Sequence, residues 1–553
     1  MVLPTDNGGP AGQRVTATTG DLRYCIEQAD AVHRSTTDTI NFSPTVFATP
    51  QTITLKPVFG PLVLTDSHPL TINGPSARTV TVSGGNQMEV FDIASGTVTM
   101  NNLAITNGNA ALGGGMFNHG NLTLTNCILE QNLASSSGAG GGLFNGGTAN
   151  LTNCTLELDS AGFGGAIANA IGRTVTLSNC NLSKDSAGTA GGGIFNYGGT
   201  VALTDCTLSN DSALGATSGF DGGGAFFDFG TATLTNCTLN NNSANSDGGG
   251  ILIPSGGAAT LTNCTVSHNL ASGGTSATDG GGGIFDAGTA VLNNCTLSNN
   301  VANSDGGGIF IRSGGTATFT NCTLSSNLAS DTVLAYGGGG GGVFNGGTAT
   351  LTNCSLSDDL ALAALGGGIS NGGSATLTNC TVANNWAARG GGIFNFGTGT
   401  MANCTIAGNS AIGRVINNYI HLSGIGGGVM NFNQGTLNLT NSIVADNTAS
   451  NAWPDIYEGS IGAIIADHAL IGNGDGSQIA GGNGNLIGTG SNPIDPRLGP
   501  LQNNGGPTQT MALLPGSPAI GQGDNAKAPT TDQRGITRLD ESAETTDIGA
   551  FEF

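Results

Sequence analysis

The sequence predicts an all-β solenoid, a parallel β-helix of about fifteen coils with three short strands in each. Three observations predict it. Eleven cysteines (Cys127, Cys154, Cys180, Cys206, Cys237, Cys264, Cys295, Cys322, Cys354, Cys380 and Cys404) recur at gaps of 27, 26, 26, 31, 27, 31, 27, 32, 26 and 24 residues, almost all inside L-T-N-C-T-L. A period of that size means stacked units rather than one globular core. Within a unit the pattern alternates, Leu122 and Leu124 against Thr123 and Thr125, and period two with β-branched threonine marks strands. Glycine steps such as G-G-G-I-F-N (191–196) open twelve successive units, starting near residues 113, 141, 164, 191, 222, 248, 281, 306, 340, 366, 390 and 426.

Residues 1–100 read as an N-terminal cap and first coils. Leu22, Cys25, Ile26 and Ala29 fall at helical spacing behind Asp21, a favoured N-cap residue. A short amphipathic helix there covers the open edge of the first coil, which a solenoid must protect. T-I-N-F-S-P-T-V-F (39–47) and P-Q-T-I-T-L (50–55) read as strands.

Residues 101–442 are the regular repeats. The residue before each cysteine is Asn, or Asp205 in one unit. The residue five after it is Asn132, Asp159, Asp185, Asp211, Asn242, Asn269, Asn300, Asn327, Asp359, Asn385 or Asn409. Stacked asparagines bond from coil to coil and tolerate left-handed turns, so two structural ladders are expected. The longer gaps arise at one place in the repeat, 213–221, 272–280, 330–338 and 411–425. All variable loops therefore leave from one edge, the usual binding face of a solenoid. Residues 221–278 and 279–336 are two copies of a two-coil unit. Residues 443–553 lose the cysteine unit and gain proline.

Composition excludes several function classes. Net charge is -22, with 14 Lys and Arg against 36 Asp and Glu, which opposes binding to nucleic acid or anionic membranes. No run approaches eighteen apolar residues, so no transmembrane segment is expected. The first residues lack a signal-peptide pattern; the expectation is export with the signal already removed. Charged residues are only 9%, too few for a helical protein.

V-T-A-T-T-G-D-L-R-Y-C-I-E-Q-A-D-A (15–31) with D-T-I-N-F (38–42) resembles the N-terminal cap called the CSLREA domain, with Cys25 in its alanine place. G-P-L-Q-N-N-G-G-P-T-Q-T-M-A-L-L-P-G-S-P-A-I (499–520), T-D-Q-R-G (531–535) and D-I-G-A-F (547–551) resemble the choice-of-anchor Q domain. The middle is similar to right-handed parallel β-helix repeat proteins of the pectate-lyase-like superfamily, and G-G-A-I (164–167) resembles polymorphic outer-membrane autotransporters. These resemblances imply a right-handed helix and a bacterial-type exported or surface-attached protein. They imply no particular activity.

Candidate chemistry follows from the register. One thiol per coil, spaced by the ~4.8 Å strand separation, is wider than disulfide geometry prefers and lacks the clustering of a metal site. A reduced, buried ladder is expected. The N-C-T and N-L-T strings match a glycosylation acceptor, but their asparagines belong to the ladder. Asp221, Asp247, Asp279 and Asp305 precede the glycine step in four coils, and oxygen ligands so stacked suit Ca²⁺, against a solvated acidic edge. Tyr336, Trp386, Arg389, Tyr419 and His421 gather on the loop edge and form a candidate glycan- or protein-binding set. Arg312, near Asp279 and Asp305 in the repeat, is the candidate base of a calcium-dependent lyase. Phe117, Phe144, Phe195, Phe285, Phe310, Phe344 and Phe394 are expected to face inward as a core stack; outward, they would form a hydrophobic stripe.

The function these readings favour is a cell-surface structural or adhesion module. A carbohydrate-active enzyme and a self-associating fibre subunit are the alternatives.

Overall fold

The computed structural model describes Val2, 14–16, 19–31, 37–65, 68–75, 79–215, 221–273, 280–330, 338–416, 420–459, 461–479, 482–538 and 545–553. Two units divide the chain: residues 1–245 with 250–259, and residues 246–249 with 260–553. Both are parallel β-solenoids, with about 14 turns in the chain and three main sheets. A fourth, shorter ladder forms where each coil reads S-A or L-A, as at Ser186–Ala190 and Leu328–Ala329.

Each coil follows the repeat. In the first unit, Thr148–Thr152 pairs in register with Thr174–Ser178, so Ala149 stacks on Val175 and Leu151 on Leu177. These four side chains are at most 1% exposed, as are Leu156 and Ala187, and Cys154 lies beside them at 1%. Each such leucine contributes about 1.5–3 kcal/mol by leaving water. Where the chain turns before each cysteine, the backbone is left-handed, with φ 53° at Asn153 and 54° at Asn294. Asparagine tolerates that conformation better than any other side chain here. The third position of the step is glycine in most coils and alanine at Ala166 and Ala225, and space there is short: a Cβ on Gly283 would lie 2.6 Å from the Gly308 carbonyl oxygen.

All twelve cysteines are free. The eleven in the repeat are buried, and their thiols donate to backbone carbonyls, Cys322 Sγ to Leu292 and Thr320 at 3.3 Å each. Burial pushes the Cys354 and Cys380 thiols well above their ordinary value. The cysteines are inert filling in the core.

Both expected asparagine ladders form, and a third appears. The ladder before the cysteines is partly open to solvent; Asn179 Nδ2 donates to Asn153 Oδ1 at 2.7 Å. The ladder five residues after them is fully buried. Asn300 shows its pattern. Its N–H and Nδ2 both donate to Asn327 Oδ1, at 3.1 and 3.0 Å, and Nδ2 also reaches the Val266 carbonyl at 2.9 Å. The third ladder, absent from the sequence reading, follows the glycine step: Asn118, Asn145, Asn169 and Asn196 each donate Nδ2 to the next Oδ1 at 2.7–2.9 Å, ending on Asp228. The next coil carries Ile253 there, and Asp228 Oδ1 ends the ladder by accepting both the Asn196 Nδ2 and the Gly230 N–H, at 2.7 and 3.0 Å. Asp286 stands in the same relation to Ile311 in the second unit.

The phenylalanine expectation is corrected. In Ile194–Asn196 the core takes Ile194 and the ladder takes Asn196, both fully buried, and Phe195 between them turns outward. A strand alternates faces, and the ladder asparagine claims the same face as the isoleucine. The phenylalanines stack outside the sheet instead, with centroids 5.0 Å apart for Phe195 and Phe227, and 5.1 and 4.8 Å for Phe285, Phe310 and Phe344.

A helix packs on the first strands, and the tail docks on the side of the stack. The helix Leu22–Ala31 is capped by Asp21, whose Oδ1 accepts the Tyr24 N–H at 2.9 Å. Its buried face, including Leu22, Tyr24, Ile26 and Ala29, packs on strands Leu62–Leu64 and Asp38–Asn41. In the second unit, residues beyond Leu498 fold back on the outer face of the strands that follow the cysteines. Gln533, Arg538 and Ile548 are at most 1% exposed, as are the outward residues beneath, Ser355, Thr381, Thr405 and Ile443. Gln533 Nε2 donates to the Cys354 carbonyl at 3.2 Å, Arg538 Nη2 to Asn379 Oδ1 at 3.0 Å, and Ala550 N–H to Thr405 Oγ1 at 3.0 Å. Arg538 also pairs with Glu552 at 2.8 Å. The T-D-Q-R-G and D-I-G-A-F strings are thus docking contacts.

Candidate functional site on the loop edge

The strand Trp386–Arg389 belongs to the short ladder at the edge from which the loops leave. Its first residue points outward, in register with Leu360 on one side and Ser410 on the other. Leu270, Val301, Leu328 and Leu360 occupy the same outward position in the four preceding coils. In most other coils this position is serine, as at Ser186, Ser212 and Ser410, with Asn109, Leu133 and Thr448 in the remaining three. Five neighbouring coils therefore present an apolar row about 19 Å long at ~4.8 Å per coil. Sequence reasoning found Trp386 and missed the row, although each member stands one place after a ladder Asn or Asp and was legible there.

At its end lies an open depression of about 430 Å³, lined by Asp358, Leu360, Leu362, Asn384 and Trp386. Asp358 is exposed, and its carboxylate has no hydrogen-bond partner among the described residues. The insertion 411–425 contributes an antiparallel hairpin, Arg414–Ile416 with Ile420–Leu422. It carries the Arg414 guanidinium over the Trp386 ring, 5.9 Å from its centroid. The indole is thereby held between a cation and an open rim with a carboxylate and an amide.

The structure separates the other predicted residues. Arg389 turns away to Ser423, donating to its carbonyl and Oγ at 3.3 Å each. Burial lowers its pKa and the neighbouring Tyr457 raises it. Tyr457 stacks on Trp453 at 4.6 Å, and both pack with Phe394 and Met430. His421 lies in the hairpin strand; Tyr336 and Tyr419 fall outside the described residues.

The acidic column is built into the backbone. Asp221, Asp247 and Asp305 are at most 5% exposed. Asp247 Oδ1 accepts the Gly280 N–H at 2.8 Å, and Asp305 Oδ1 the Gly339 N–H at 2.6 Å. Asp279 falls outside the described residues. Arg312 is exposed at the far end of strand Ile309–Ile311 from Asp305, so the two do not converge. A further acidic group, Asp467, His468 and Asp524, already holds a cation: Lys527 Nζ pairs with Asp467 and, at 3.4 Å, with Asp524.

The sequence profile of the right-handed β-helix region matches residues 164–340 and 307–492, more than half of the chain. The chain belongs to the right-handed β-helix family. No curated protein sequence matches it. Among solved structures, a PL6 alginate lyase in complex with a trisaccharide aligns over 98% of this chain and 96% of that chain, at 11% identity and a TM-score of 0.24. Likeness at that level describes neither ligand nor mechanism. No described helix of this β-helix protein is long and apolar enough to cross a membrane.

Proposed function

We propose that this β-helix protein is an exported, surface-displayed binding module that holds an extended glycan or protein along its loop-bearing edge. The observation that carries the reading is the outward row Leu270, Val301, Leu328, Leu360 and Trp386, which replaces serine over five coils and ends at the Trp386 depression. A continuous apolar strip on a solvent-facing sheet marks an interaction surface, and a half-buried indole beside a free carboxylate and an amide offers a sugar both a flat face and hydroxyl partners. The capped N-terminus and the docked tail fit the resemblance to CSLREA and choice-of-anchor Q domains, which supports display at a surface. The lyase alternative lacks such support, because Arg312 and Asp305 lie at opposite ends of strand Ile309–Ile311.

Glycan arrays and cell-surface pull-downs with wild type, Trp386→Ala and Leu328→Ser test the proposal. Loss of at least tenfold in binding for both variants is expected. Binding that survives both substitutions, or its absence from the wild type, rejects it.

A further inference from the structure

A second surface lies in the first unit, at the corner between the glycine-step strands and the T-x-x-L strands. The regular turn there is short: Asn118 to Asn121 and Asn145 to Thr148 each advance three residues (121 − 118 and 148 − 145). The floor is bare backbone, because a Cβ on Gly120 would come within 2.6 Å of the Gly96 carbonyl oxygen. The next coil breaks the pattern. Asn169 to Thr174 advances five residues (174 − 169), although Asn145 still pairs with Asn169 and Thr148 with Thr174. The two extra residues raise Ile171 and Arg173 into a wall.

Against that wall lies an open groove of about 430 Å³, lined by Ser95, Thr97, His119, Asn121, Thr148 and Arg173. No carboxylate lines it. Arg173 and His119 are both exposed. Among the described residues, the Arg173 side chain has no hydrogen bond or ion pair, and the His119 ring rests edge-on against Phe117 at 4.4 Å without a hydrogen bond. Two such groups facing one groove are out of character in a chain with 14 basic and 36 acidic residues. The charge of His119 acts on the Asp92 carboxyl, which in turn acts on Glu89. Beyond the wall the surface turns apolar: Ile171 is 69%, Tyr197 54% and Phe229 37% exposed, and Tyr197 stacks on Phe229 at 6.0 Å.

We propose that this corner binds an acidic glycan, with a carboxylate or sulfate ester held by Arg173 and His119 and a neighbouring sugar ring laid on Tyr197. Arg presents a fixed fork of donors to such a group, and His adds one or two N–H donors. The groove and the aromatic shelf together cover five coil steps, about 24 Å at ~4.8 Å per step, which suits an oligosaccharide. The overall negative charge does not forbid it, since at physiological salt charges beyond about 8 Å are largely screened. The inference does not rest on the loop-edge reading, and it concerns different coils.

Titration calorimetry of the full chain with three hexasaccharides tests it: a uronic-acid oligomer, a sulfated neutral oligomer and an uncharged glucan. Binding of either charged probe, weakening with salt, is expected, and which probe binds names the anionic group. Arg173→Ala should weaken that binding at least tenfold, and Arg173→Lys should restore part of it. Tyr197→Ala should weaken it without changing the salt dependence, and Trp386→Ala should leave it intact. The proposal is overturned if neither charged probe binds, if glucan binds equally well, or if Arg173→Ala binds as the wild type does.

Discussion

Asn327 gives two hydrogen bonds to one oxygen of Asp359, its N–H to Oδ1 at 2.8 Å and its Nδ2 to the same atom at 2.9 Å. The other oxygen, Oδ2, is buried with no partner. It stands where the ladder asparagines carry Nδ2, which in Asn327 and Asn385 donates to the carbonyls of Leu297 and Leu356. A carboxylate cannot replace that donor, but a carboxylic acid can. Asp159 repeats the arrangement beneath Asn132, Asp185 and Asp211 each accept the N–H of the preceding ladder aspartate at Oδ1, and all three have a buried, unpartnered Oδ2. Burial pushes all four carboxyls well above their ordinary value, with Asp211 and Asp159 adding to the effect at Asp185. These aspartates act as protonated stand-ins for asparagine.

A pH dependence follows, with a definite sign. A carboxyl whose folded-state pKa is raised stabilises the fold fully below its unfolded value, about 3.9. That contribution is lost at about 1.4 kcal/mol per pH unit as the pH rises towards the folded value. The wild type should therefore lose stability from pH 4 upward. Asp359→Asn supplies the missing donor without the titration, so its unfolding midpoint should exceed the wild type's by a margin that grows as the pH rises from about 4 towards the folded-state pKa. General charge repulsion also eases in acid, but the difference between the two proteins at each pH isolates Asp359. Parallel curves would show that the carboxyl is not held neutral.

The buried and exposed asparagines should differ in worth. Removing Asn300 takes the Oδ1 acceptor from the Asn269 N–H and Nδ2, which donate to it at 3.1 and 3.0 Å, and the Nδ2 donor from the Val266 carbonyl. Buried groups left unmade cost about 1–3 kcal/mol each, so Asn300→Ala should cost 3 kcal/mol or more. Asn294 makes the exposed equivalent to Asn263 at 3.2 Å. Asn294→Ala should cost only about 1–2 kcal/mol, the penalty of a left-handed alanine. Urea denaturation of the two variants under one condition checks the ordering.

Thiol labelling should separate one cysteine from eleven. Cys25 is half-buried on the helix, whereas the repeat cysteines are buried with their Sγ atoms turned to carbonyls. The thiolate is the reactive form, and burial suppresses it. A chromogenic disulfide reagent should modify a single thiol in the native protein and twelve in denaturant. Cys25→Ser should abolish the native reaction.

The architecture was readable because a coil-to-coil repeat writes one structural fact many times. The cysteine interval set the coil, the alternation around Leu122 and Leu124 set the strands, and Asp21 announced the helix. The third ladder was harder to see. Its asparagines follow Ile and Phe in a strand, where a polar residue reads as outward, and that assumption also turned the phenylalanines the wrong way. Pairing of Asn145 with Asn169 at 2.9 Å makes the inward amide stable, a condition that exists only once the coils are stacked. The site was less legible for a related reason. Trp386 meets Arg414 through a hairpin 28 residues further on (414 − 386), a contact no spacing encodes, and Arg389, on the same loop edge, turns to Ser423 instead.

The tail's attachment has its own test at Gln533. This side chain is fully buried and makes four hydrogen bonds, from Nε2 to the Cys354 carbonyl, Thr508 Oγ1 and the Gln509 carbonyl, and at Oε1 from Thr381 Oγ1 at 2.6 Å. Two of its partners belong to the solenoid and two to the tail, so it couples the pieces directly. The surface beneath is specialised: the outward pair is Thr207 and Ser209 in an uncovered coil, but Thr405 and Ala407, then Ile443 and Ala445, under the tail. Gln533→Ala should free the tail locally while sparing the coils, whose cores it does not touch. Hydrogen exchange should then quicken for amides in 499–538 and stay unchanged in Thr348–Thr352, since regions open with their own local stability. Equal acceleration in both places would mean that the tail holds the coil stack together rather than resting on it.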